Sequence, residues 1–270
     1  MSTKKRTLLA QDWSVWGDIS LKTATTLFQV WGLPAVSLPV KLLAAHPGWA
    51  AQTPQQDLTA WLQRVLDYWQ QQAWSRIYLG YLGSPAVVEV WQRYLATAAC
   101  PVILDPAMAD QGQLYQGLDV NYVQAISRLL PYVDVLTPNI SEAQFLVGFP
   151  IIDHDSLSRA LHLLAAQMRG SQVIITSIQQ DQQIGCAFLN QGVVQTSLYP
   201  QQQRTLFGSG DLFTTLVVLF LAADFSFAAA VQQATRLTTL AVKQTPFSAR
   251  DIQVAAIIPA LLELKDGNHA

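Results

Sequence analysis

The sequence predicts an α/β fold: a central, mostly parallel sheet with helices on both faces, in three layers. Three observations carry this. Short apolar runs of strand length alternate with runs of helical period along most of the chain, the pattern of βαβ units. The polar clusters follow predicted strands, as they do where ligands bind at the carboxyl ends of a parallel sheet. Late in the chain, two runs flank Asn190-Gln191-Gly192 and read as a hairpin at an antiparallel edge.

In chain order, residues 7–10 form the first strand, and a polar loop follows over 11–18. Residues 19–31 have apolar positions at Leu21, Ala24, Leu27, Phe28 and Trp31, a helix that Gly32 ends. A strand spans 35–40. The irregular stretch 42–56 holds His46-Pro47-Gly48-Trp49. A Gln-rich amphipathic helix covers 57–73, a strand 76–79, and a helix 85–98. The apolar run 101–104 leads into Asp105-Pro106 and a loop to Gly112. A helix at 120–130 and a strand at 133–136 precede Thr137-Pro138-Asn139, with Ser141 as cap of the next helix. A helix at 155–169, a strand at 173–176, and the hairpin strands 184–189 and 193–198 follow. Three helices close the chain, at 212–223, 227–242 and about 249–264. No internal repeat, low-complexity linker or composition break is visible in the 270 residues. One domain over 1–270 is therefore predicted.

The stretch that organises this frame is Gly208-Ser209-Gly210-Asp211, directly before the apolar run 212–223. Gly208 and Gly210 free the backbone to turn its N–H groups toward one point. The helix adds its unpaired first-turn amides and the positive end of its dipole. Together they make an anion hole for a phosphate in transfer. Asp211 repels such a ligand unless it has a chemical task, and the natural task is general base for an attacking alcohol. The alternative is an ordinary turn with Asp211 as the helix cap.

Four other clusters follow strands. Asp105 and Asp110 either hold water-bound Mg²⁺ beside nucleotide phosphates or serve as a loop cap and a solvated carboxylate. Asn139 and Glu142, three apart at a helix start, either face phosphate and Mg²⁺ or form a capping pair. Thr176 and Ser177 end a strand and can reach phosphates. Asp12, Ser14, Gly17 and Ser20 line the first loop, where they bind a small polar substrate or form a turn and cap. Of the histidines, His46 alone lies where it can reach a substrate, while His154, His162 and His269 read as solvated.

Charged residues make up 13% of the chain and the net charge is −2, without a basic stripe, so no nucleic-acid partner is expected. Cys100 and Cys186 lie far apart and read as buried free thiols of a reducing compartment. The longest apolar run, 212–223, is too short to span a bilayer. A soluble, cytoplasmic protein with no membrane partner is expected.

Several motifs together carry a resemblance. Asp105-Pro106-Ala107-Met108-Ala109-Asp110 with Leu114-Tyr115 resembles the Asp-Pro-Val-Met-Gly-Asp…Leu-Tyr segment of pyridoxal kinases. Thr137-Pro138-Asn139 with Glu142-Ala143 resembles their Thr-Pro-Asn…Glu-Ala segment, and Gly208–Phe213 their Gly-Thr-Gly-Asp-Leu-Phe anion hole. The first loop with Leu38-Pro39 is most similar to the pyridoxamine-kinase branch of Firmicutes, and Gly80-Tyr81-Leu82-Gly83 also fits. The likeness covers nearly the whole chain and implies a ribokinase-like three-layer α/β/α sandwich, usually a homodimer. It implies transfer of the ATP γ-phosphoryl group to the 5′-hydroxymethyl of pyridoxal, pyridoxine or pyridoxamine, with Mg²⁺ and often a monovalent cation such as K⁺. On that likeness Asp211 is the catalytic base and Gly208, Ser209 and Gly210 complete the anion hole. Asp105, Asp110, Asn139, Glu142, Thr176 and Ser177 face Mg-ATP, with Asp110 and Glu142 toward the metal. Asp12, Ser14, His46 and Tyr81 face the vitamer. The chain departs from the pattern at Ala109, in place of a glycine, at Asp18, in place of a basic residue, and at Pro47, in place of a threonine. The alternatives are a hydroxymethylpyrimidine (phosphate) kinase of the same superfamily and a vitamer-binding protein without catalysis.

Overall fold

A computed structural model describes residues 5–46, 48, 52–202, 204 and 206–267; Pro47 and His269 lie outside them. In chain order the strands are β1 (Arg6–Trp16), β2 (Ala35–Ala45), β3 (Gln55–Asp57), β4 (Trp74–Leu79), β5 (Val102–Leu104), β6 (Ala109–Asp110), β7 (Gln113–Leu114), β8 (Val135–Leu136), β9 (Gln172–Gln180), β10 (Gln183–Asn190) and β11 (Val193–Pro200). The helices are α1 (Leu21–Trp31), α2 (Thr59–Tyr68), α3 (Pro85–Leu95), α4 (Val120–Ser127), α5 (Ile140–Val147), α6 (His154–Gln167), α7 (Ser209–Ala222), α8 (Phe227–Gln244) and α9 (Ile258–Gly267).

Nine strands form one sheet in the order β11-β10-β9-β8-β5-β4-β1-β2-β3. The six central strands from β9 to β2 pair in parallel. Both edges are antiparallel: β10 and β11 on one side, β3 on the other. The predicted hairpin is thus present, and a second one, β9 with β10, precedes it.

Alternation along β1 sends Leu8 and Ala10 to one core and Leu9 to the other. The first core is closed by α2 to α6, with Trp91 and Tyr122 fully buried. The second is closed by α1, α7, α8 and α9. Helix α7 lies deepest, buried continuously from Leu212 to Phe220. Each of its large apolar side chains contributes about 1.5–3 kcal/mol on burial. The sheet therefore holds α7, and with it the glycine turn at its start, in a fixed place. No helix among the described residues is long and apolar enough to cross a membrane.

Several boundaries differ from expectation. The strand at 35–40 runs on to Ala45, the helix at 57–73 is Thr59–Tyr68 after the short β3, and the last helix, placed at about 249–264, is Ile258–Gly267. The predicted loop 11–18 is strand as far as Trp16, because β2 continues alongside it, with Asp12 paired to Lys41 and Trp16 to Ala45. The strand at 173–176 runs on to Gln180, with Ser177 as the extra residue of a bulge against Gly185 and Cys186. The cap of α5 is Asn139, not Ser141.

Candidate active site

The site is assembled at the carboxyl ends of β1, β4, β5 and β8 and the start of α7. Gly208 adopts φ 82°, and an added Cβ would stand 2.3 Å from Ile19 Cγ2, so this turn tolerates only glycine. Gly210 differs: it is helical, and an added Cβ would meet nothing within 4 Å. The first turn of α7 thus opens onto free space beside Gly210, where helix geometry leaves its N–H groups without intrahelical partners. Asp211 sits in that first turn.

Asp211 Oδ2 accepts the backbone N–H of Ser20 at 3.2 Å and the Ser20 hydroxyl at 3.1 Å. Ser20 reaches it from a tight turn, with Gly17 at φ 124° and Ser20 itself at φ 53°. Asp251 buttresses the same turn by accepting the Asp18 N–H at 3.3 Å. Burial raises the Asp211 carboxyl above its ordinary value despite the two bonds from Ser20. Such a carboxylate keeps enough basicity to take a proton.

Three further carboxyls lie behind it. Asp12 is buried and accepts the Ser14 hydroxyl at 3.1 Å. Burial, and then the Asp211 charge, push it up to about 7. Asp105 is buried and accepts the Thr214 hydroxyl at 3.0 Å, and Thr214 in turn lies 2.9 Å from Thr137 Oγ1. Burial, and then Asp211, raise Asp105 to about 8. Burial, and then Asp105, raise Glu142 well above the carboxylate range.

Glu142 ties two loops together. Its Oε2 accepts the Asn139 N–H at 2.8 Å, and Asn139 Oδ1 accepts the Glu142 N–H at 3.0 Å, a reciprocal capping box. Its Oε1 accepts the N–H groups of Met108 at 3.0 Å and Ala109 at 3.4 Å, while Asn139 Nδ2 donates to the Ala109 carbonyl at 2.7 Å. Of the two readings for this pair, the structure shows the capping one, extended to the loop after β5. Ala109 is buried and extended there, so the missing glycine leaves the loop in place. Asp110 is exposed at its tip and accepts the Gln111 N–H at 2.9 Å.

Thr176 pairs with Asn139 through an isolated parallel bridge, which brings it to the same edge. Ser177 is exposed at φ 62° on the bulge. His46 packs at a tilt against Phe207, with centroids 5.1 Å apart, and accepts the Gly48 N–H on Nδ1 at 3.1 Å. Burial lowers its imidazole. Tyr81 follows β4, and burial and then Asp12 raise its phenol to about 12.

Ser20 does not act as a cap of α1, since its side chain makes no cap bond there and goes to Asp211. Thr214 and Lys41 were not singled out from the sequence, although each leaves a trace there: a hydroxyl inside the apolar run of α7, and a charge inside the apolar run of β2.

A family model described as phosphomethylpyrimidine kinase matches residues 27–254. The chain belongs to that family. The crystal structure of pyridoxal kinase from Lactobacillus plantarum superposes with a TM-score of 0.91, at 30% identity over 99% of this chain and 100% of that one. The hydroxymethylpyrimidine/phosphomethylpyrimidine kinase of Haemophilus influenzae is 35% identical over 102 residues, 36% of each chain. Pyridoxal kinase from Leishmania donovani, solved with ADP and pyridoxamine, shares the fold with a TM-score of 0.83, at 22% identity over 96% of both chains. The ribokinase-like fold follows, and family membership makes the chain a phosphotransferase with an alcohol group as acceptor. The relatives named here are kinases of pyridoxal or of hydroxymethylpyrimidine.

Proposed function

We propose that this chain transfers the γ-phosphoryl group of ATP to the 5′-hydroxymethyl group of a vitamin B6 vitamer. The observation that carries the reading is Asp211 in the first turn of α7, held by Ser20 beside the open space at Gly210. Asp211 takes the proton of the hydroxymethyl group. The oxygen then bonds to the γ-phosphorus as the bond to the bridging oxygen breaks and ADP departs. The N–H groups from Gly208 to Asp211 stabilise the charge on the transferring phosphoryl group. His46 and Tyr81, with Asp12 and Ser14, bound the substrate side. Asp105, Asn139, Glu142 and Thr176 shape the nucleotide side, and Asp110 stands at its rim.

Among the described residues no group of three or more His, Cys, Asp or Glu could hold a metal ion alone. Mg²⁺ keeps several waters and binds chiefly through substrate phosphates. The donor set fits that mode, with exposed Asp110 as the carboxylate reached through water and Glu142 as the residue that places its loop. The ion, when bound, neutralises phosphate charge.

A second reading, a hydroxymethylpyrimidine (phosphate) kinase, is favoured by the family match and by the Haemophilus relative. One experiment separates the two. ADP release with Mg-ATP is measured against pyridoxal, pyridoxine, pyridoxamine and hydroxymethylpyrimidine. Turnover on a vitamer with little on the pyrimidine is the expected result. The reverse overturns the vitamer reading, and binding without any ADP release overturns the kinase.

A further inference from the structure

Lys41 is a charge in an otherwise apolar strand, Leu38-Pro39-Val40-Lys41-Leu42-Leu43. A bulge in the β1–β2 register sets it directly opposite Asp12. On its other side β3 places Asp57 opposite the same residue. The aliphatic stem lies against the backbone after β4: a Cβ added to Gly83 would meet Lys41 Cδ at 2.8 Å and Nζ at 3.4 Å. The ammonium stands 6.0 Å from the centre of the Tyr81 ring, within cation–π range. Among the described residues Nζ has no hydrogen-bond or ion-pair partner; burial lowers its ammonium, and Asp57 and then Asp12 act the other way at longer range, with the aromatic face beside it. Asp12, paired opposite it, and Tyr81, beside its ammonium, are both assigned above to the substrate side.

We infer that Lys41 is a specificity-determining residue that selects substrates by charge, favouring rings with a neutral 4-substituent over one with a cationic substituent. This rests on the vitamer reading. Pyridoxal carries an aldehyde and pyridoxine an alcohol at that position, whereas pyridoxamine carries an aminomethyl group that is protonated at neutral pH. In a partly desolvated site, like charges a few ångströms apart repel strongly enough to outweigh most single contacts. Removal of Lys41 takes away the positive charge next to Asp12 and turns the same site toward a cation.

The test is kcat and KM for pyridoxine, pyridoxal and pyridoxamine with wild-type protein, Lys41→Met and Lys41→Arg, each checked by thermal unfolding. Wild-type protein should use pyridoxamine at least about tenfold less efficiently than pyridoxine. Lys41→Met should raise the pyridoxamine-to-pyridoxine ratio of kcat/KM by about tenfold, through KM, while Lys41→Arg keeps the wild-type ratio. A purely structural Lys41 would change all three substrates together, and an unchanged ratio in folded Lys41→Met overturns the assignment. So does an Arg variant that shifts as far as the Met variant. Wild-type protein that turns over none of the three vitamers overturns the vitamer reading itself, and the assignment with it.

Discussion

Asp211 and Ser20 are joined twice: both the backbone N–H and the hydroxyl of Ser20 donate to the same oxygen, Oδ2, at 3.2 and 3.1 Å. This leaves Oδ1 for a substrate hydroxyl and fixes the carboxylate plane without neutralising it. Asp211→Asn keeps the shape and can still accept from Ser20, yet it cannot take a proton. We predict a loss of about 10²–10⁴-fold in kcat with KM for the vitamer little changed. The melting temperature should stay at or above wild type, since a buried charge is removed. Steady-state kinetics and a thermal melt on the same preparation check both parts, and near-normal kcat would remove Asp211 from the mechanism.

The two glycines of the turn should fail in different ways. Gly208→Ala puts a methyl group 2.3 Å from Ile19 at a positive φ, so it should cost about 1–3 kcal/mol of stability along with activity. Gly210→Ala meets no protein atom and sits in helical conformation, so the fold should be unharmed or slightly more stable. Its methyl group enters the space at the mouth of α7, and kcat should fall at least about tenfold. Denaturant unfolding and kinetics on both variants separate the cases. Equal destabilisation by the two would contradict the open anion hole.

Glu142 and Asn139 hold each other as well as the loop after β5. Removal of either strands backbone N–H groups that the other cannot satisfy alone. Glu142→Ala should cost about 2–4 kcal/mol and Asn139→Ala about 1–2 kcal/mol. The double variant should cost less than the sum, with a coupling of about 1 kcal/mol. Urea unfolding of the four proteins closes the cycle. Strict additivity would mean that the capping box does not form.

The layered frame was legible because it is written locally. Alternating apolar runs fix the strands and helices, and Gly-x-Gly-Asp before an apolar helix encodes its own turn. The polar clusters were readable as a set for the same reason, since each follows a strand. What joins them was not readable. Ser20 and Asp211 are 191 residues apart, Thr214 and Asp105 109, and Met108 and Glu142 34, and none of these bonds leaves a periodic signal. Gln11, Asp12 and Ser14 imitate a loop, because polarity inside a strand is visible only once its neighbour β2 is known. Ser177 imitates a strand end, because a bulge depends on the opposing strand rather than on its own residue.

Asp12 and Asp105 make the fold sensitive to alkali rather than to acid. Their carboxyls titrate near 7 and 8 in the folded chain, against an ordinary value of 3.8. The folded state therefore holds these protons more tightly than the unfolded state. Their contribution to stability is fully present below about pH 4 and is lost as pH rises through 7 to 8. Between pH 5.5 and 8.5 these two groups should cost the ligand-free protein on the order of 5 kcal/mol. Asp105→Asn has the shape of the neutral acid and no charge to expose, so about half of that slope should vanish. The variant should be the more stable protein at pH 8.5 and close to wild type at pH 5.5. Urea unfolding across this range reads both curves. A wild-type curve that rises with pH would show that these two carboxyls are ionised and paired in the fold.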